Sequence, residues 1–274
     1  MTDTLDWQGR VGDNWAVEWQ RTDRSFAPLS AALTERFLAY TGGKARDILD
    51  IGCGAGGTSF DLAERLSGAT IRGIDLSSAL VTAATGRNAY TGRVSFSAHD
   101  ATRWEGGDWR PDSLVSRHGV MFFDDPVAAF AHLASRAAPG ARLIFSCFRD
   151  RAVNGWAEEI AALLPAPSAA APFAPGPFAF ADRAHVASIL AAAGWRDAAA
   201  EPVDFGYVAG AGADPVVDAR DFFTRIGPAA RALASLDPDR RAHFLADLEP
   251  LLCNHLSGGS VTFDAAAWIW TARL

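Results

Sequence analysis

Aspartates recur at positions 50, 75 and 100, each just after a short apolar run, and the first opens onto a glycine cluster in "DILDIGCGAGGTSFDLAERL" (47–66). A glycine-rich turn between a strand and a helix lets a ligand approach the backbone N–H groups at a helix N-terminus. Its glycines can be read two ways. Gly52, Gly54 and Gly56 spell GxGxG, which suits a nucleoside whose sulfonium or amino-acid end lies against the turn. Gly52, Gly54 and Gly57 spell GxGxxG, which suits the pyrophosphate of a dinucleotide. Asp75 can accept hydrogen bonds from both hydroxyls of a ribose, Leu76 can pack on a base, and Asp100 can accept from an exocyclic amine. Ser116 and His118 follow a fourth apolar run, and an imidazole with a pKa of about 6.5 is suited to taking a substrate proton. His118 reads equally as a hydrogen-bonded rim residue.

Such residues need a scaffold that brings strand ends together. "DILDI" (47–51), "TIRGID" (70–75), "VSFSAHD" (94–100), "SLVS" (113–116) and "ARLIFSCF" (141–148) read as five strands. Helices are expected over Thr58–Leu66, from Ser77 (with Ser77 or Ser78 as cap) to Ala89, and from Pro126, where Val127, Phe130 and Leu133 share a side. Phe26, Leu29, Leu33, Phe37 and Tyr40 give an earlier helix one apolar face before Gly42-Gly43 stops it. This alternation implies a doubly wound, Rossmann-like α/β fold, in which ligands lie beyond the C-terminal ends of the strands.

Beyond residue 150 the chain changes character. A Pro/Ala-rich loop (165–181) leads to a helix capped by Asp182 and stopped at Gly194-Trp195, then a sixth strand within Ala198–Phe205. Two or three helices fill Asp214–Leu252, and "SVTF" with "AAAWIWTARL" reads as a hairpin or edge strand. The expected whole is one domain, 1–274, with a seven-stranded, mostly parallel sheet whose last strand is antiparallel. Within it we distinguish a helical N-terminal lid (1–45), a cofactor-binding core (46–150) and a substrate-side region with a helical insertion and the closing strands (151–274).

Composition narrows the partners. The 274 residues are 49% hydrophobic with a formal charge of −7, and there is no basic run, which argues against a nucleic-acid or anionic-membrane surface. Basic residues are almost all arginine; Lys44 is the one lysine. Cys53, Cys147 and Cys253 match neither a disulfide framework nor a CxxC metal spacing, and His99, His132, His185, His243 and His255 show no metal-ligand spacing and read as structural, so no metal is expected. Without a signal-like start or a long apolar run, a cytoplasmic location is expected. Oligomeric state, monomer or homodimer, has no sequence signal.

The residue set resembles the class I S-adenosylmethionine-dependent methyltransferases. The likeness rests on "DIGCGAG" (50–56), the acid of "IRGIDLS" (71–77), "HDA" (99–101) and "LVSRHGVMFFDDPVAAF" (114–130), whose "GVMFF-x-DP" stretch is similar to a bacterial group of small-molecule methyltransferases. "WQGRVGDNWAVEWQRTD" (7–23) and "GPFAFAD" (176–182) look like that group as well. The resemblance implies S-adenosyl-L-methionine as cofactor, S-adenosyl-L-homocysteine as product and a small-molecule acceptor. It implies that Gly52, Cys53, Gly54 and Gly56 form the turn under the methionyl part, and that Asp50 orients the turn and the cofactor's ammonium. It further assigns Asp75 to the ribose, Leu76 and Ala101 to the adenine faces, Asp100 to the adenine amine, Ser116 and His118 to the floor under the sulfonium, and Trp15 to a closing lid.

Other readings stay open. An NAD(P)-dependent oxidoreductase would use the same crevice, although it does not by itself require Asp100, and a non-catalytic nucleoside binder would keep the site without the chemistry. Cys53 reads as a small space-filler rather than a nucleophile, and Asp124-Asp125-Pro126 as helix capping rather than an acid/base pair. Trp7, Trp15 and Trp19, then Phe122 and Phe123, then Phe173, Phe178 and Phe180, form three aromatic groups that could wall an apolar acceptor pocket.

Overall fold

A computed structural model describes residues 7–164 and 171–274. Five parallel strands, β1 (Asp47–Ile51), β2 (Thr70–Asp75), β3 (Val94–Ala98), β4 (Ser113–Arg117) and β5 (Arg142–Phe148), are followed by β6 (Arg196–Ala211), a two-residue β7 (Leu256–Ser257) and β8 (Ser260–Arg273). The order across the sheet is β3-β2-β1-β4-β5-β8-β6, with β7 paired to β8. Strand order reverses between β1 and β4, so a crevice opens beyond their C-terminal ends.

Alternation along β5 shows how both faces are covered. Phe145 meets Phe130 and Phe180, and the Cys147 Sγ donates to the Phe180 carbonyl. The intervening Ser146 and Phe148 face His118 and Phe26 instead. Side chains on a strand point alternately to opposite faces, so the helix carrying Phe130 and the helix carrying Phe26 lie on opposite sides. All of Leu143–Phe148 is buried, as a strand covered on both faces must be.

Local chemistry starts the helices where expected. The Ser77 hydroxyl accepts from the Leu80 N–H, Asp125 from Ala128 and Asp182 from His185, each at the head of its helix (Ser78–Arg87, Pro126–Arg136, Arg183–Ala192). Asp125 thus caps, with Pro126 in the first turn. Val127 does not join the apolar side; it is 37% exposed, and Ala129, Phe130 and Leu133 are the buried set.

Three differences from the sequence reading have physical causes. The early helix begins at Trp19, well before Phe26, because ion pairs hold its first turns: Arg21 and Arg24 meet Asp218, and Asp23 meets Arg87 and Arg117. β6 extends to Ala211, past Phe205, since every residue from Val203 to Val208 has a partner on β8. Ser260–Arg273 is one continuous strand inside the sheet rather than at its edge; Trp270 opposes Phe145 and stacks on it at 6.2 Å, and β6 is the edge. Residues 165–170 of the Pro/Ala-rich loop, and residues 1–6 of the lid, lie outside the described residues.

Ahead of the sheet, Arg10–Val17 forms a short helix that packs on Ser78–Arg87. Gly12 is the point of contact: a Cβ there would lie 2.2 Å from the Trp7 carbonyl oxygen and 2.4 Å from the Ser77 Oγ. Glu18, 3% exposed, joins this segment to the following one through Arg21 (2.6 Å) and to the Pro215–Arg225 helix through Arg225 (2.8 Å).

Phe130 is fully buried among Phe123, Phe145 and Phe180. Phe130→Ala should therefore lower stability by about 3–5 kcal/mol in urea denaturation, whereas Val127→Ala on the same helix should stay within about 0.5 kcal/mol.

Candidate functional site

At the strand-order reversal β1 and β4 end almost in contact. A Cβ on Gly52 would lie 3.0 Å from the Gly119 Cα, and one on Gly119 would lie 2.8 Å from the Ile51 carbonyl oxygen. Only hydrogen fits on either side. The turn after β1 then has Gly52, Gly54 and Gly56 at φ +64°, +54° and +88°, all left-handed, while Gly57 begins the helix Gly57–Arg65 with ordinary φ. The alternating GxGxG spacing is therefore the one the backbone uses.

Asp75 fastens this turn. Its Oδ2 accepts from the Gly54 N–H (2.8 Å) and its Oδ1 from the Ser77 N–H (2.9 Å), and the residue is 9% exposed. Burial raises its pKa, opposed by those backbone donors. A carboxylate offers about four acceptor positions, so the group keeps capacity for a ligand's hydroxyls. Asp100 has an analogous arrangement, its Oδ1 accepting from the Thr102 N–H and hydroxyl at 2.8 and 2.7 Å.

These groups open on a cavity of about 890 Å³. Of the candidate binding residues, Trp15, Gly52, Cys53, Gly54, Asp75, Leu76, Asp100, Ala101 and His118 line it; Asp50, Gly56 and Ser116 do not. The Ser116 hydroxyl is turned inward, donating to the Ile51 carbonyl (2.7 Å) and accepting from the Gly119 N–H (3.2 Å), so it braces the β1–β4 junction rather than flooring the cavity. Gly56 is covered by Phe60 and Phe96. Asp50 is 1% exposed, its Oδ2 accepting from the Ser59 hydroxyl at 2.6 Å, which places it behind the turn it supports. Burial pushes the Cys53 thiol well up, in keeping with a space-filler.

His118 sits at φ +60° and is 9% exposed. Its Nδ1 lies 2.8 Å from the Ser146 Oγ, while its Nε2 is buried without a partner among the described residues. Burial, aided by the neighbouring Arg117, lowers its pKa to about 3, so the ring is neutral at ordinary pH. Arg117 is itself engaged by Asp23 (3.0 Å) and Ser30 (2.6 Å).

A second part of the cavity lining is aromatic. His118 meets Phe148 at 4.1 Å and Phe26 at 5.2 Å, Phe148 meets Trp156 at 5.0 Å, and Trp156 stacks on Tyr207 at 5.2 Å. Phe222, Phe223 and Ile226 close it from the helical region after β6. Burial pushes the Tyr207 phenol up, so it stays protonated. Sequence reasoning singled out Trp7, Trp15, Trp19, Phe122 and Phe123, which do line the cavity, but missed Phe148, Trp156 and Tyr207. Phe178 packs behind Phe148 and Trp156, Phe180 lies under Phe130, and Phe173 is 52% exposed beside His185, so that aromatic group does not form a wall. His99 also lines the cavity, whereas His132 and His255 are tied to the Trp104 carbonyl and to Glu159. Among the described residues no cluster of His, Cys, Asp and Glu could hold a metal ion.

Residues 48–140 match the family model of the methyltransferase domain. Over 163 residues the chain is 32% identical to trans-aconitate 2-methyltransferase of Delftia acidovorans, a match covering 58% of this chain and 56% of that protein. It is 24% identical to malonyl-[acyl-carrier protein] O-methyltransferase 1 of Ilyobacter polytropus over 57% of this chain and 58% of that one. The chain thus spans little more than half the length of these curated relatives. Phosphoethanolamine N-methyltransferase 2 of Haemonchus contortus, solved with S-adenosyl-L-methionine, shares the fold at a TM-score of 0.56 and 16% identity, covering 100% of this chain and 60% of that chain.

Asp50 gives the site a testable titration. Burial raises its pKa from 3.8 to about 6, opposed by the Ser59 hydroxyl and Arg117. The folded state therefore holds this proton more tightly than the unfolded one, and the stability so gained is full below pH 3.8 and lost as pH rises to about 6. That loss is about 3 kcal/mol, and Asp50→Asn should flatten this segment of the stability–pH curve measured by urea denaturation. With the turn that this carboxyl supports and the β3-β2-β1-β4-β5-β8-β6 sheet around it, residues 48–140 are similar to the methyltransferase domain whose family model they match.

Proposed function

We propose that this protein transfers the methyl group of S-adenosyl-L-methionine to a small-molecule acceptor, releasing S-adenosyl-L-homocysteine. The observation that carries the reading is the placement of Asp75, Leu76, Asp100 and Ala101 on one wall of a cavity that also contains the left-handed Gly52 and Gly54. The donor set fits the cofactor: an acid beside the turn for the ribose diol, a second acid for the adenine amine, and Leu76 and Ala101 as apolar surfaces for the ring. In front of Gly54 nothing lies within 4 Å of a built Cβ, so the methionyl part can approach the backbone. Asp50, behind the turn, would act on the cofactor's ammonium through the turn.

When bound, the cofactor supplies an activated methyl group on a positively charged sulfur. The chain's own contribution is positioning and the exclusion of water, which in well-oriented cases supplies up to about 7–11 kcal/mol. Trp7, Trp15 and Trp19 line the cavity from the N-terminal helices, so this segment serves as its cover. His118, neutral and held by Ser146, orients the acceptor. We take residues 1–45 as the lid, 46–150 as the cofactor-binding core and 151–274 as the acceptor side of one domain. No described helix is long and apolar enough to cross a membrane and Cys53, Cys147 and Cys253 are all unpaired, which supports a cytoplasmic protein acting on a diffusible acceptor.

Isothermal titration tests the reading. Both S-adenosylmethionine and S-adenosylhomocysteine should bind, and Asp75→Ala should weaken both by about tenfold or more, the worth of a charge-assisted hydrogen bond or two. Heat with NAD and none with either nucleoside would refute it. The lid has its own test: Gly12→Ala should undock the Arg10–Val17 helix, seen as faster tryptic cleavage at Arg10 and weaker nucleoside binding. Gly86→Ala, with open space around its added Cβ, should change neither.

A further inference from the structure

Granted methyl transfer, the acceptor half of the cavity selects among oxygen, nitrogen and sulfur nucleophiles. Two of the residues that line the cavity each carry a fully buried polar atom with no partner among the described residues: the His118 Nε2 and the Trp156 Nε1. Phe148 lies between their rings, 4.1 Å from His118 and 5.0 Å from Trp156. An indole nitrogen can only donate. The imidazole is fixed by hydrogen accounting: Ser146 is fully buried, and among the described residues the acceptor within reach of its hydroxyl is the His118 Nδ1. With the Ser146 O–H donating to Nδ1, a neutral ring carries its proton on Nε2. Both orphans are therefore N–H groups, and each bears an uncompensated desolvation penalty while it lacks an acceptor.

The surrounding wall excludes most other features. Phe26, Phe148, Tyr207, Phe222, Phe223 and Ile226 offer carbon surface, and the nearby Arg117 is committed to Asp23 and Ser30. Arg103, exposed and three residues past Asp100, is the other arginine lining the cavity among the described residues, so a polyanion against the aromatic wall would be buried short of cations, at a heavy desolvation cost. A neutral alcohol would need a base, and a histidine already bearing its Nε2 proton is not one. An amine has a single lone pair, which it cannot both offer to an N–H group and use to attack the methyl. A single anionic oxygen group on an apolar body satisfies all these conditions, with the sulfonium as its counter-charge.

We propose that the acceptor is a largely apolar carboxylic acid, bound as the carboxylate with its oxygens on the N–H groups of His118 and Trp156, and that the product is its methyl ester. A carboxylate lone pair forms the new O–CH₃ bond while the electron pair of the C–S bond returns to sulfur. Methyl ester and neutral thioether are the products, and no proton moves. His118 and Trp156 are positioning residues that aim the oxygen.

Measurements on this 274-residue chain test this. Calorimetry first establishes whether S-adenosylhomocysteine binds; if it does not, the methyl-transfer reading itself falls. The loaded protein is then titrated with decanoate, 4-phenylbutanoate, decan-1-ol, decylamine and trans-aconitate. At least one of the two apolar acids should bind about tenfold more tightly than decylamine and trans-aconitate, the difference a charge-assisted hydrogen bond makes. With S-adenosylmethionine present, mass spectrometry should find its methyl ester. Trp156→Phe and His118→Asn should each reduce the preference for decanoate over decan-1-ol by about tenfold, a ratio that general loss of structure would not alter selectively. Nitrogen-15 spectra of histidine-labelled protein should show His118 protonated on Nε2. Nucleoside binding with no preference for either apolar acid, tighter binding of trans-aconitate, or an Nδ1-protonated His118 would each overturn the proposal.

Discussion

The site depends on how closely two stretches of backbone approach one another. Gly52 at the end of β1 and Gly119 just past β4 meet with room only for hydrogen, and the Ser116 hydroxyl locks that junction by bridging the Ile51 carbonyl and the Gly119 N–H. A side chain at either glycine would wedge the two strand ends apart. Because the crevice of a doubly wound sheet opens where strand order reverses, this contact sets its floor, and the left-handed turn and the positive-φ His118 both leave from it. Asp50, Ser59 and Asp75 hold the turn in place from behind and beside.

A second constraint is electrostatic and joins distant parts of the chain. Glu18 is almost completely buried, yet it is compensated from two elements, by Arg21 and Arg225, and Arg21 and Arg24 share Asp218. Hydrogen bonding from the Ala211 N–H and these guanidinium groups carry the Asp218 carboxyl below its ordinary pKa despite its partial burial. Nearer the sheet, Asp23 likewise pairs with two guanidinium groups, those of Arg87 and Arg117. The N-terminal helices are thus fixed both to the core and to the helices that follow β6, the two regions whose side chains enclose the cavity. Removing one member of such a network strands a partly buried charge, so its parts act together.

The contrast between what the sequence announces and what it conceals follows the range of the interactions. β1, β2 and the capped helix starts at Ser77, Asp125 and Asp182 are written in neighbouring residues, and they are legible. So are the acids at the strand ends, because a parallel sheet makes its strand ends a shared rim. Trp19–Thr41 is legible only from Phe26 onward, since its earlier turns owe their stability to residues such as Asp218, nearly two hundred positions away. The inner place of β8 depends on pairing with both β5 and β6, which no local pattern encodes. Trp156 and Tyr207 carry no chemical signature in their own segments; they become a wall because Phe148 and Phe26 come to lie beside them. Ser116 stands at a strand end, but position does not reveal which way a hydroxyl turns.

Asp75 has one further consequence. Its carboxylate is already held by two backbone N–H groups, from the turn and from the next helix, in a side chain with little exposure. Freezing an immobilised side chain typically costs roughly 0.5–1.5 kcal/mol of conformational entropy on binding, and here that ordering accompanies folding instead. Asp100, held by the Thr102 N–H and hydroxyl, is in the same condition. The two groups that would read a nucleoside are therefore rigid before it arrives, and a ligand of the wrong shape cannot be accommodated by their rotation.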